Sequence, residues 1–230
     1  MTTKVWTPEE LKEVAVALEG KPPEDALRWS VDNFKRDEFA LACSFAECVT
    51  VDMLLKVKPD ARVFYLDTGL LFKETYQVVK EVERKYGIIV ERYAPDIGLE
   101  EMASKHGPEL WKTNPDLCCD IRKVRPLKKV LSTLKLWITG LRRDEAPSRG
   151  TAPIVGWDEK FNLIKVNPIA AWSRKQVWDY VTKYGVPYNK LLDKGYTSIG
   201  CEPCTGLASS DERGGRWPGR AKIECGLHGG

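Results

Sequence analysis

The chain has 230 residues, 43% of them hydrophobic and 30% charged, with a formal net charge of +3. That length suits one α/β domain burying roughly 70% of its unfolded surface, and the mild charge argues against a general nucleic-acid binder. The N-terminal segment carries no apolar signal core and no apolar run approaches the roughly 18 residues of a membrane span, so no membrane, no nucleic acid and a reducing, cytoplasmic setting are expected.

In chain order, Thr7-Pro8-Glu9-Glu10 is a capping box with Pro at the first helical position, opening a helix to about residue 20. A second helix is predicted over 24–34. Phe39-Ala40-Leu41-Ala42-Cys43 and Arg62-Val63-Phe64-Tyr65-Leu66 are apolar runs of the kind buried in parallel sheets, and 49–57 between them has helical spacing, which makes a βαβ unit. Helix 73–86 and strand 88–91 continue the alternation. Leu136-Trp137-Ile138-Thr139 supplies a further central strand after a helix that carries a cysteine pair. Segments 154–157 and 161–166 read as a hairpin at a sheet edge, and Ser173-Arg174-Lys175-Gln176 caps a helix that stops at Gly185. From Thr205 onward there are seven glycines and little apolar periodicity. The expected organisation is therefore one α/β domain over 1–204, with a mostly parallel central sheet flanked by helices, and a mobile tail over 205–230.

Four of the seven cysteines stand in two tight pairs, Cys118-Cys119 and Cys201-Glu202-Pro203-Cys204. A disulfide between adjacent cysteines is badly strained, and four thiolates suit either tetrahedral zinc or a cubane iron–sulfur cluster. Cys43 and Cys48 flank a strand-to-helix turn and read as small core hydrophobes. Cys225, in Glu224-Cys225-Gly226-Leu227-His228 near the C-terminus, is the candidate nucleophile.

In an open parallel sheet ligands bind beyond the carboxyl ends of the strands, and three turns fall there. Ser44 and Phe45 lead into a helix N-terminus, where amides favour an anion. Asp67-Thr68-Gly69 offers a carboxylate and a turn to a ribose or an adenine edge. Arg142, Arg143 and Arg149 crowd the loop after the central strand, a concentration that suits anionic oxygens. Arg122, Arg125 and Lys129 share a face if the helix after the first cysteine pair is regular.

Taken together these motifs resemble the assimilatory adenylyl-sulfate reductases, the iron–sulfur, thioredoxin-linked branch of the family that reduces adenosine phosphosulfates. The resemblance covers nearly all the chain after about residue 38. It rests on Cys118-Cys119 with Arg122-Lys123, Leu66-Asp67-Thr68-Gly69 with Phe72-Lys73-Glu74-Thr75, and Thr139-Gly140-Leu141-Arg142-Arg143-Asp144. Ser198-Ile199-Gly200-Cys201-Glu202-Pro203-Cys204-Thr205, Arg213-Gly214-Gly215-Arg216-Trp217 and the Cys225 motif complete it.

The resemblance implies an adenine-nucleotide alpha-hydrolase-like fold and a [4Fe–4S] cluster on Cys118, Cys119, Cys201 and Cys204. It implies attack by Cys225 on the sulfur of adenosine 5'-phosphosulfate, giving AMP and an S-sulfocysteine, from which reduced thioredoxin (or glutaredoxin) releases sulfite in assimilatory sulfate reduction. It also implies a homo-oligomer, and places Lys123, Arg149, Arg213 and Arg216 on the phosphosulfate or in closure of the tail over it. One turn departs from the family pattern: Ser44-Phe45-Ala46-Glu47-Cys48 lacks the glycine of the usual Ser-Phe-Gly-Ala-Glu-Asp form. Alternative functions are the same chemistry on the 3'-phosphorylated nucleotide, a tRNA-thiolating sulfurtransferase, and a non-catalytic iron–sulfur sensor or zinc-stabilised binding module.

Overall fold

Six short strands form the centre of the molecule, in the order β3-β2-β1-β4-β6-β5. They are β1 (Phe39–Ala42), β2 (Val63–Leu66), β3 (Glu91–Tyr93), β4 (Leu136–Thr139), β5 (Val155–Asp158) and β6 (Leu163–Val166). All neighbours are parallel except β5 and β6, which form the expected hairpin with β5 at the edge. The computed structural model describes residues 4–207, 213–220, 222 and 224–228. The expected tail lies partly outside them, at 208–212, 221, 223 and 229–230.

The apolar runs occupy the sheet centre because alternate residues feed opposite layers. Phe39 and Leu41 point into a large core, where helices α1 (Pro8–Leu18), α2 (Pro23–Asn33), α3 (Val49–Val57), α4 (Lys73–Tyr86) and α9 (Arg174–Tyr184) contribute Leu11, Leu27, Met53, Val82 and Val181. Ala40, Phe64 and Trp137 face the other layer, where Leu127 and Val130 of α8 (Arg125–Leu131) cover them. Each large apolar side chain so buried contributes roughly 1.5–3 kcal/mol. Local signals set the helix ends. Thr7 and Ser173 form complete capping boxes, and Gly185 closes α9 in the left-handed conformation at φ +58°.

Between β3 and β4 run α5 (Leu99–His106), α6 (Leu110–Thr113) and α7 (Pro115–Cys119). A π-helical turn at Asp120–Val124 then links α7 to α8. This turn separates the three basic residues that a regular helix would align. Arg122 is buried, whereas Arg125 pairs with Asp120 at 2.8 Å and Lys129 with Asp96 at 2.9 Å on the surface. Strand β3 begins at Glu91, three residues beyond the expected start at 88. Among the described residues no helix is long and apolar enough to cross a membrane.

Candidate active site

From β1 the chain proceeds outward to β2 and β3, whereas from β4 it proceeds to the other half of the sheet. The strand order therefore reverses between β1 and β4, and a crevice opens at their carboxyl ends. A cavity of about 220 Å³ lies there, with Leu41 and Ala42 of β1 and Trp137 and Thr139 of β4 in its wall. Ser44, Lys123, Arg149, Arg213, Arg216 and Cys225 also line it. Six of the residues singled out in the sequence thus meet, although they come from five separate stretches of chain.

The cations in this cavity are deeply placed. Lys123, Arg149 and Arg216 are each at most 9% exposed. Burial opposes charge on Lys123, but the thiols of Cys201 and Cys225 beside it more than offset this and hold its pKa above the ordinary value. For Cys225, burial alone would raise the pKa. The charge of Lys123, a hydrogen bond from the backbone of Leu227 and the charges of Arg216 and Arg213 reverse this and bring the thiol below its ordinary range. A half-buried thiol in an electropositive cavity is poised to be a nucleophile.

The tail around Cys225 is docked by specific contacts. Arg149 donates to Glu224 through Nε at 2.8 Å and Nη2 at 3.0 Å, and Arg213 Nη2 donates to Glu224 Oε2 at 3.1 Å. Arg149 also bonds Glu145. Lys160 Nζ donates to the Gly226 carbonyl at 2.5 Å, Leu227 packs on the Trp137 layer, and His228 stacks on Trp137.

Cys119, Cys201 and Cys204 gather with Trp217 in one buried cluster, against which Trp111, Leu70 and Cys225 pack. Cys118 is buried next to them among Met102, Leu110 and Ile121. The first pair is set by α7, where Asn114 accepts from Leu117 N at 3.0 Å and Pro115 occupies the first turn. The second pair is set by a 3₁₀ turn at Glu202–Cys204, tied down by Glu202 N to the Leu70 carbonyl at 2.7 Å and by Thr68 Oγ1 to Cys201 Sγ at 3.3 Å. Strand-like pairing of Thr205 with Arg216, and Trp217 N donating to Cys204 O at 2.9 Å, lay the arginine segment over this turn. All seven cysteines are free thiols.

Burial pushes the thiols of Cys118 and Cys119 up to about 12 and 11, so a bound metal would have to displace their protons. Among the described residues no group of three or more Cys, His, Asp or Glu side chains is arranged to hold a metal ion. The surroundings suit a larger, electron-rich group. Among the described residues, the buried indole N–H groups of Trp111 and Trp217, and Nε and Nη2 of Arg216, have no hydrogen-bond acceptor. Four thiols packed with the indoles of Trp111 and Trp217 fit a sulfide-bearing cluster, whose sulfurs would accept from those indoles.

Other expected site residues are placed differently. Asp67 accepts from Tyr76 Oη at 2.7 Å, Gly69 N at 2.9 Å and Arg92 Nε at 2.6 Å. Its oxygens are thus committed within the protein, and Asp67, Thr68 and Gly69 are absent from the cavity wall. Their turn braces the cysteine helix instead. Arg122 Nε donates to the Thr68 carbonyl, and Gly69, at φ +69°, brings its backbone so close to Arg122 Nη2 that an added Cβ would sit 3.2 Å away. Arg143 is held by Glu19, the C-cap of α1, at 2.7 and 2.8 Å, and Arg142 is buried 3.5 Å from Asp144 and 3.7 Å from Glu145. Neither reaches the cavity wall. In the glycine-less turn the left-handed position falls on Phe45, at φ +58°, whose ring packs edge-on against Tyr65 in the core. Cys48 is a core residue with Cys43 packed against the same core, as expected.

Residues 38–207 match the model of the phosphoadenosine phosphosulfate reductase domain. The chain belongs to the phosphoadenosine phosphosulfate reductase family. It is 44% identical over 233 residues, 99% of each chain, to a Geobacillus protein (strain WCH70) named adenosine 5'-phosphosulfate reductase. Over 210 residues it is 46% identical to adenosine 5'-phosphosulfate reductase 2 of Bacillus subtilis, covering 89% of this chain and 88% of that one. A crystal structure of phosphoadenylyl-sulfate reductase from Candida auris, a phosphate complex, superposes with a TM-score of 0.78 at 31% identity, over 89% of this chain and all of that one.

Within this family member, three residues of the site were given no role in the reading of the sequence: Trp111, Trp217 and Glu224. The indoles carried no signal, because a tryptophan near cysteines in sequence is more often core. Glu224 carried one, being the sole acidic residue from 213 to 230, in a stretch with four basic residues.

Proposed function

We propose that the chain reduces adenosine 5'-phosphosulfate to sulfite and AMP, as a step of sulfate assimilation. The observation that carries the reading is the position of Cys225: a thiol lowered in pKa, facing the crevice at the switch point of the sheet with Lys123, Arg213 and Arg216. Its thiolate attacks the sulfur of the sulfate group. The bond between that sulfur and the bridging oxygen breaks, and AMP leaves with the electron pair while Cys225 carries an S-sulfonate. A dithiol donor of the thioredoxin class then attacks Cys225 Sγ and expels sulfite. Its second thiol closes the donor disulfide and returns the cysteine, supplying the two electrons.

Lys123 and Arg216 hold the anionic oxygens through the transfer, where charge shifts from the reacting sulfur toward the phosphate. The walls of β1 and β4 supply an apolar slot for the nucleoside, and Ser44 at the head of the first turn offers it a hydroxyl. Cys118, Cys119, Cys201 and Cys204 would hold a [4Fe–4S] cluster, which when bound adds a fixed electrostatic field beside the cavity. The relatives of 44–46% identity are named for the unphosphorylated nucleotide, which favours it over the 3'-phosphorylated form.

The test is sulfite release by anaerobically prepared protein with reduced thioredoxin, comparing both nucleotides in wild type and Cys225→Ser. Turnover of the unphosphorylated nucleotide that vanishes in the variant is expected. Equal turnover of both nucleotides would assign dual specificity, and no sulfite from either would refute the proposal.

A further inference from the structure

Arg149 and Arg213 are two of the four cations that resemblance assigns to the phosphosulfate or to tail closure, yet in the docked tail both are engaged by Glu224, the residue before Cys225. Arg149 approaches it with two donors, as a fork on a carboxylate, and Arg213 takes the second oxygen from another segment. Ser148 Oγ adds a longer contact at 3.5 Å to Oε1, and Glu145 on the far side of Arg149 fixes that guanidinium from behind. The carboxylate is 16% exposed, so these charge-assisted bonds are poorly screened. Lys123 and Arg216 stand apart from this chain of ion pairs. Among the described residues Arg216 keeps two buried, unpaired nitrogens, and its guanidinium rests on the bare backbone of Gly200.

From this division we infer that Glu224 is a positioning residue: clamped between Arg149 and Arg213, it latches the tail so that the Cys225 thiol faces the cavity, leaving Lys123 and Arg216 to receive the anionic oxygens of the substrate. The inference takes Cys225 as the reacting thiol from the proposed function, but the latch itself acts before any nucleotide arrives. A residue next to the nucleophile is well suited to this role, because fixing its side chain leaves the thiol one peptide unit of freedom.

The experiment needs no turnover. In full-length, anaerobically purified protein, the alkylation of Cys225 by iodoacetamide is followed by peptide mass spectrometry as a function of pH. Its high-pH plateau, where the thiolate is fully formed, reports accessibility free of any change in pKa. Glu224→Gln is expected to raise that plateau by about tenfold or more, the factor for losing charge-assisted bonds worth at least ~1.4 kcal/mol. Glu224→Asp, which keeps the carboxylate, is expected to fall between Gln and wild type. Arg149→Gln added to Glu224→Gln is expected to raise it no further, since both remove one contact. With Cys225→Ser to prevent reaction, adenosine 5'-phosphosulfate should bind within about twofold as tightly after Glu224→Gln, and at least about tenfold more weakly after Arg216→Gln. A wild-type plateau in Glu224→Gln overturns the latch. So does an Arg149→Gln protein that loses nucleotide affinity while its plateau stays at the wild-type value. A raised plateau in a protein that makes no sulfite leaves the latch standing and removes the proposed function instead.

Discussion

His228 stacks on Trp137, their ring centroids 5.5 Å apart and their planes 19° from parallel. One contact thereby joins the end of the tail to the central strand of the sheet. The imidazole is neutral, because burial first, and then the charges of Lys165, Arg149 and Arg213, hold its pKa well below the ordinary value. An undocked tail would titrate near the usual ~6.5, so the open state takes up a proton more readily than the closed one. Docking is therefore strongest above that pH and weakens as pH falls below it, by at most about tenfold per pH unit. Hydrogen exchange of residues 224–228, corrected for intrinsic rates, should show protection falling from pH 7.5 to 5.5 in wild type. In His228→Gln it should be lower and should vary less with pH. A pH-independent wild-type profile would contradict this account.

Gly200 has an ordinary backbone conformation, and its role is space rather than flexibility. A Cβ there would overlap the Arg216 guanidinium, the buried end of a flexible side chain. Gly200→Ala should therefore displace Arg216 while leaving the fold intact. The melting temperature is expected to stay within a few degrees of wild type, with sulfite formation reduced by about ten- to a hundredfold, as for an ångström-scale misplacement of a positioned group. A large loss of stability with normal activity per folded molecule would place Gly200 in the architecture instead.

Much of this arrangement was legible in the sequence because the signals are local. The limits of α3 and β4, the two capping boxes and the β5–β6 hairpin rest on neighbours within a few residues. Of the residues that converge on the cavity, Arg149 and Cys225 were found from their chemistry, whereas Lys123, Arg213 and Arg216 came from the family resemblance. What failed was nonlocal. Nothing near Asp67 announces that Tyr76 and Arg92 will take its oxygens, and Arg143 finds Glu19 across 124 residues of chain. The π-helical turn that buries Arg122 departs from the 3.6-residue spacing on which any face argument depends.

Asp52 offers a control for stability away from the cavity. Its buried carboxylate accepts from Tyr86 Oη at 2.9 Å and Tyr180 Oη at 2.8 Å and pairs with Lys56 at 2.6 Å, tying α3 to α4 and α9. Asp52→Ala strands two tyrosine hydroxyls and is expected to destabilise the protein by about 2–4 kcal/mol. For a chain of this size that lowers the melting temperature by roughly 5–10 °C. Below the transition, the rate per folded molecule should match wild type. A variant with unchanged stability would show that these hydrogen bonds contribute nothing net.

The cysteines give the last prediction, because the structure separates them into two groups. Cys118, Cys119, Cys201 and Cys204 meet under the arginine segment, while Cys43 and Cys48 belong to the helical core on the other side of the first turn. If the first group holds a cubane, anaerobically purified protein should contain about four iron and four acid-labile sulfide per chain, with broad visible absorption. Cys201→Ser should lose most of both, since Thr68 cannot replace the missing thiolate. Cys43→Ala should keep both. The Trp217→Phe protein should retain its iron but lose an indole donor that has no acceptor among the described residues, and its cluster should become harder to reduce, as expected when a hydrogen bond to sulfur is removed. One zinc per chain without sulfide would overturn the cluster and return the site to a structural metal. Equal iron loss from Cys43→Ala and Cys201→Ser would instead show that iron retention does not depend on the four-cysteine site.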